Sequence, residues 1–135
     1  MASLSLQQLR IVEDQLKQIQ QAIRNLELWN EPLTDVNELL DSPAGMKTLA
    51  ADCMLIEAIG EGIKRIDERT HQQLLSARPE IPWKAVKGMR DHIAHGYFDI
   101  NTDFVWDVVK NDLPSLRDAI DYFVDHLYEI IPVAE

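Results

Sequence analysis

Between Lys84 and Phe98 the chain gathers most of the side chains able to do chemistry: Lys84, Lys87, Arg90, Asp91, His92, His95 and Tyr97. A guanidinium, a carboxylate, two imidazoles and a phenol so close together suit proton transfer beside a bound anion. Imidazole changes charge near neutral pH, and guanidinium grips phosphate through paired donors. Read as one helix, Asp91 and His95 are four apart and share a face, so Asp91 could orient the imidazole. Arg90 and His95 are five apart, about 140° around the same helix, and do not share a face. Gly96 reads as the left-handed residue that ends this helix, with Tyr97 emerging beside His95.

The residue types alone leave other readings open. A cationic histidine in a last turn suits the helix dipole, Arg90 could simply pair with a neighbouring acid, and Tyr97 could be a packing aromatic. His92 and His95, with Asp91 and Asp99 nearby, resemble part of a metal site. No third ligand is placed as zinc or di-iron sites require, so neither a metal nor another cofactor is expected. No serine elbow, carboxylate pair or Gly-rich phosphate loop stands out. Cys53 lies in an apolar stripe and reads as a small buried hydrophobe rather than a nucleophile.

Charge narrows the partners. With 13 basic and 23 acidic side chains, the formal net charge is −10, which argues against a general nucleic-acid coat protein. Residues 64–98 are the exception, with seven basic and four acidic side chains against net −6 before them and net −7 after them. Any anion-facing region must therefore lie there. At 135 residues and 46% hydrophobic content, a single domain spanning 1–135 is expected. No apolar run reaches the ~18 residues of a membrane span. The one cysteine suits a reducing compartment, so the expected location is cytoplasmic, with no membrane contact.

The elements that must position these residues are helices. Leu9, Val12, Leu16, Ile19, Ile23 and Leu26 alternate in steps of three and four, the stripe of a long amphipathic helix that Pro32 stops. Residues 31–41 read as a connection holding one short turn capped by Thr34 or Asp35. Ser42-Pro43 starts a second helix with Met46, Leu49, Cys53, Ile56, Ile59, Ile63 and Ile66 on its stripe. Gly60 and Gly62 mark a close backbone approach or a bend within it. Ile81-Pro82-Trp83 opens a third helix ending at Gly96. Asn101 or Thr102 caps a short one over 103–109, and Leu113-Pro114 starts the last, lined by Leu116, Ile120, Phe123, Leu127 and Ile130 or Ile131. Residues 132–135 read as a frayed end. The expected fold is all-α, an antiparallel four-helix up-down bundle with a short extra helix.

The run Arg90-x4-His95-x-Tyr97 resembles the R-x4-H-x-Y motif of HepT-like ribonuclease toxins in the HEPN superfamily. Ile59-Gly60-Glu61, Ile81-Pro82-Trp83, Gly88-Met89-Arg90, Tyr97-Phe98-Asp99-Ile100, Val105-Trp106 and Asp112-Leu113-Pro114 are similar too, so the likeness covers residues 4–131. It implies the HEPN-like helical bundle and a metal-independent endoribonuclease, the toxin of a type VII-like toxin–antitoxin pair. It further implies a homodimer in which the motifs of two subunits form one composite site, which suits the divergence of Arg90 and His95 on a single helix.

On this resemblance His95 is the general acid/base, and Arg90 clamps the scissile phosphate. Asp91 orients His95, and the products carry 2′,3′-cyclic phosphate ends. Lys84, Lys87 and His92 become candidates for RNA contact, and DNA is not an expected substrate. Tyr97 becomes the site at which an MntA-type nucleotidyltransferase antitoxin attaches AMP, placing charge beside His95 and repelling RNA. The alternative is a helical binding module that partners a nucleotidyltransferase without cutting RNA. The intact Arg90, His95 and Tyr97 favour the nuclease, and the acidic net charge favours the module.

Overall fold

The computed structural model describes residues 3–96 and 98–135. Tyr97 lies outside them. The first stripe forms α1 (Leu6–Asn30), started by a reciprocal capping box in which Ser5 Oγ accepts the Gln8 N–H and Gln8 Oε1 accepts the Ser5 N–H. All six stripe residues of α1 are buried. Asp35, not Thr34, caps the 3-10 turn Val36–Leu39. α2 (Pro43–Arg69) begins where Ser42 Oγ accepts the Gly45 N–H. Its buried face carries Leu49, Ile56, Ile59, Ile63 and Ile66, but Met46 is 53% exposed. Gly45 is buried instead, because the Glu38 carbonyl of the 3-10 turn occupies the place of a Cβ there.

α1 packs against both α2 and α6 (Leu113–Ile130), so the architecture is the all-α HEPN-like bundle. Phe123 of α6 is fully buried and stacks on Trp83, with ring centroids 5.8 Å apart. The expected short and last helices are joined. α5 (Thr102–Asp107), capped by Asn101 Oδ1 on the Phe104 N–H, runs through a π-helical turn, Val108–Asp112, straight into α6. Within that turn the Leu113 N–H reaches back five residues to the Val108 carbonyl. Pro114, which has no N–H to give, follows directly, and the widened turn accommodates it inside a continuous rod. Residues 132–135 are not wholly frayed: the Ala134 N–H donates to the Leu4 carbonyl at 2.7 Å.

The third helix differs most from expectation. It divides into α3 (Trp83–Lys87) and α4 (Arg90–Ile93) around Gly88 and Met89, and it ends at Ile93 rather than Gly96. Ala94 is extended (φ −164°, ψ 152°) because the Ile93 carbonyl accepts from Asn101, and Ala94 pairs with Ile100. Gly60 explains how α3 is seated. A methyl group there would stand 3.1 Å from the Val86 carbonyl oxygen, so the glycine marks a close approach of two backbones and not a bend. Among the described residues, no helix is long and apolar enough to cross a membrane.

One polar pair is sealed between α1 and α2. Asn30 Nδ2 donates to Asp52 Oδ1 at 2.8 Å, and both residues are almost fully buried. Asn30 Oδ1 and Asp52 Oδ2 remain buried acceptors without a partner among the described residues. Burial pushes the Asp52 carboxyl up to about 6, with the Asn30 bond pulling the other way. A proton on Oδ2 would give the carboxyl a donor to offer. The folded state thus holds the proton more tightly than the unfolded chain, so stability falls as pH rises from about 4 through 6. Asp52→Asn should raise Tm at pH 8, by an amount reflecting roughly 2–3 kcal/mol, and the gain should shrink towards pH 4.5. Thermal melts of both proteins at the two pH values check this; a pH-independent difference would show that Asp52 is not the group responsible.

Candidate active site

Two walls enclose an open cleft of about 680 Å³. Ala50, Cys53 and Glu57 of α2 form one wall; Arg90, Asp91, Ala94 and His95, from α4 and the loop after it, form the other. That loop is a small hairpin. The Ala94–Ile100 bridge closes it, the His95 N–H donates to the Asp99 carbonyl at 3.3 Å, and the Asp99 N–H donates to the Gly96 carbonyl at 3.1 Å. Gly96 has φ +148°, a conformation that suits glycine, but it serves the hairpin turn and not a helix end.

His95 is therefore carried by the loop, and helix geometry does not govern its relation to its neighbours. The 140° divergence from Arg90 and the four-residue alignment with Asp91 both lapse. The structure still brings Arg90, Asp91 and His95 to the same cleft. No hydrogen bond joins Asp91 to His95 among the described residues, so the expected orienting contact is absent here.

Arg90 opens α4 and is 65% exposed, with Nε 3.4 Å from Glu57 Oε1. An ion pair this exposed stabilises the fold by about 0–1 kcal/mol, so its interest is positional. Glu57 did not stand out in the sequence. The available signal was its place four residues after Cys53, on the same face of α2, but nothing local names its partner. Cys53 is half-buried at the cleft wall rather than sealed in the core. Burial, helped by the charges of Asp52 and Glu57, pushes its thiol up to about 11, which keeps it protonated and poorly nucleophilic.

His92 turns elsewhere. Its ring lies 5.5 Å from that of Phe104, and it borders a second depression of about 380 Å³ with Asp91, His95, Asp99 and Asn101. Asp91 and His95 border both spaces. Among the described residues, no three metal-ligating side chains converge here or elsewhere. Lys84 is exposed and makes no ion pair among the described residues. Lys87, expected as an RNA contact, is instead drawn onto α2, with its ammonium 2.9 Å from the buried Asp67 carboxylate.

Comparison with known proteins decides the family. The family model described as "Ribonuclease HepT-like" matches residues 12–123. The chain belongs to the HepT-like ribonuclease family. A Thermococcus cleftensis protein named "Probable ribonuclease HepT" is 34% identical over 108 residues, covering 78% of this chain and 88% of that protein. A Methanocaldococcus jannaschii protein named as a candidate RNase is 30% identical over 95 residues, covering 70% of this chain and 76% of its own length. Another from the same organism is 36% identical over 69 residues, and there the match spans only 51% of this chain and 54% of the relative. No solved structure matches the chain.

The Lys87–Asp67 pair ties α3 to α2 in this HepT-like fold. Lys87→Ala leaves a buried carboxylate without its cation and should cost about 1–3 kcal/mol. Urea unfolding should show a lower midpoint at unchanged slope; an unaltered midpoint would mean that the pair is ornamental.

Proposed function

We propose that this protein is a metal-independent endoribonuclease acting as the toxin of a type VII-like toxin–antitoxin pair. The observation that carries the reading is the gathering of Arg90, Asp91 and His95 on one open cleft in a chain of the HepT-like ribonuclease family. The RNA 2′-oxygen attacks the adjacent phosphorus, the P–O5′ bond breaks, and a 2′,3′-cyclic phosphate and a 5′-hydroxyl result. His95 takes the 2′-hydroxyl proton or gives one to the leaving 5′-oxygen. Arg90 meets the phosphate and the charge developing on it. Asp91 lines the same wall as His95 and is the candidate to orient the imidazole once RNA is bound. Lys84, exposed and outside any ion pair among the described residues, is the candidate to meet the RNA backbone, and His92 lines the adjoining depression. DNA, lacking the 2′-hydroxyl, has no such route.

A homodimer completes the reading, since one His95 cannot act as base and acid on the same step, whereas two can. Support comes from the outer face of α2, where Met46 and Met54 are 53% and 72% exposed at positions 46 and 54, with Ala50 between them on the same face. Tyr97 is the proposed AMP acceptor for an MntA-type nucleotidyltransferase antitoxin. The alternative, a non-cutting module that partners the nucleotidyltransferase, draws support from the carboxylate already beside Arg90 and from the net charge of −10.

RNA incubated in EDTA with the protein made without its partner should be cut to cyclic-phosphate ends. His95→Ala and Arg90→Ala should each lower the rate by at least about 100-fold. Wild-type protein that bears no AMP and still leaves RNA intact would favour the binding module. Co-expressed with a cognate nucleotidyltransferase, the wild type should gain the mass of AMP and Tyr97→Phe should not; a modified Tyr97→Phe protein would move the acceptor elsewhere.

A further inference from the structure

Arg90 stands at the first position of a four-residue helix, directly after Gly88 and Met89, and its side chain is 65% exposed. Little packing restrains it. An unrestrained arginine has rotamer entropy to lose when it engages a phosphate. The one carboxylate in an ion pair with it among the described residues is Glu57, whose Oε1 lies 3.4 Å from Nε. A guanidinium paired on one side keeps donors on the other, and two of them can take two phosphate oxygens at once. Glu57 itself is fixed on the long helix α2, whereas Arg90 and His95 belong to a short helix and a hairpin loop.

We propose that Glu57 is a positioning residue for RNA cleavage, pairing with the Arg90 guanidinium across the cleft so that its remaining donors face the scissile phosphate. The assignment rests on the ribonuclease reading given above. It carries a built-in conflict, because a carboxylate in the cleft also repels the phosphate it helps to receive. Glu57 therefore lowers RNA affinity while raising turnover. That distinguishes it from a competitor for Arg90, which would depress both, and from a proton-transfer group, which no amide could replace.

The test compares wild type, Glu57→Gln, Glu57→Ala and Arg90→Ala. Three readouts serve: kcat and KM on a short RNA in EDTA, binding of the same RNA with a 2′-deoxy linkage at the cleavage site, and the 15N signal of the Arg90 Nε–H. Glu57→Ala should bind the uncleavable RNA a few-fold more tightly yet turn over about tenfold more slowly, with the Nε–H signal broadened by exchange. Glu57→Gln keeps an acceptor oxygen and should bind as tightly as the alanine variant while retaining kcat within about threefold. A Glu57→Ala protein with unchanged or raised kcat would overturn the proposal, as would a glutamine variant no more active than the alanine one. Should the wild type not cleave, or should Arg90→Ala cleave normally, the ribonuclease reading falls instead. The Nε–H signal then decides the contact itself, and an unaltered signal in Glu57→Ala rejects it.

Discussion

Everything in the cleft depends on how closely α3 can lie against α2. Gly60 presents no side chain at the seam, so the Val86 carbonyl can approach to where a larger residue would collide. Lys87, the next residue, then closes onto Asp67. Because α4 follows α3 after only Gly88 and Met89, the seating of α3 fixes where Arg90 emerges. A looser seam would carry Arg90 away from Glu57 and widen the cleft between α2 and the His95 loop. The hydrophobic core makes the bundle; this contact of backbone on backbone places the candidate cleft on it.

Charge in the middle of the chain serves that placement first. The segment 64–98 is the only stretch with a positive balance, yet Lys87, Arg78 and Arg90 each face a carboxylate: Asp67, Glu80 and Glu57. What remains for a polyanion is a small set of cations outside any ion pair among the described residues, Lys84 among them, on an otherwise acidic molecule. Such a surface attracts a polyanion over a short range and repels it over the rest, which restricts docking in register as well as in strength.

Much of the fold was legible because helices write themselves in a period. The α1 stripe, the Ser42 cap and the Asn101 cap are local patterns, and each stands in the structure as its residues imply. The third helix departs from its local pattern because its end is decided by partners outside the segment. The Ile93 carbonyl is taken by Asn101, so the chain leaves the helix before reaching the glycine that looked like its stop. Met46 fell on the stripe by spacing, yet the neighbouring 3-10 turn claims that side of α2 through Gly45. Of the residues that line the candidate cleft, Arg90, Asp91 and His95 stand together in the sequence, whereas Glu57 is 33 residues before Arg90 in the chain and only the tertiary packing brings it near.

The π turn between α5 and α6 sets the phase of one rod against itself. Val105, Val109 and Leu113 are buried at successive intervals of four, and the slightly unwound turn keeps all three on the core side. Loss of one residue there, with ordinary winding restored, would leave the rest of the rod close to its present phase, because a five-residue π turn winds about as far as four α-helical residues. Phe104 would stay at the ring of His92, and Asn101 at the Ile93 carbonyl that ends α4. The extra residue in Val108–Asp112 is therefore slack in the rod: chain length can vary by one there while the wall beyond it keeps its aim.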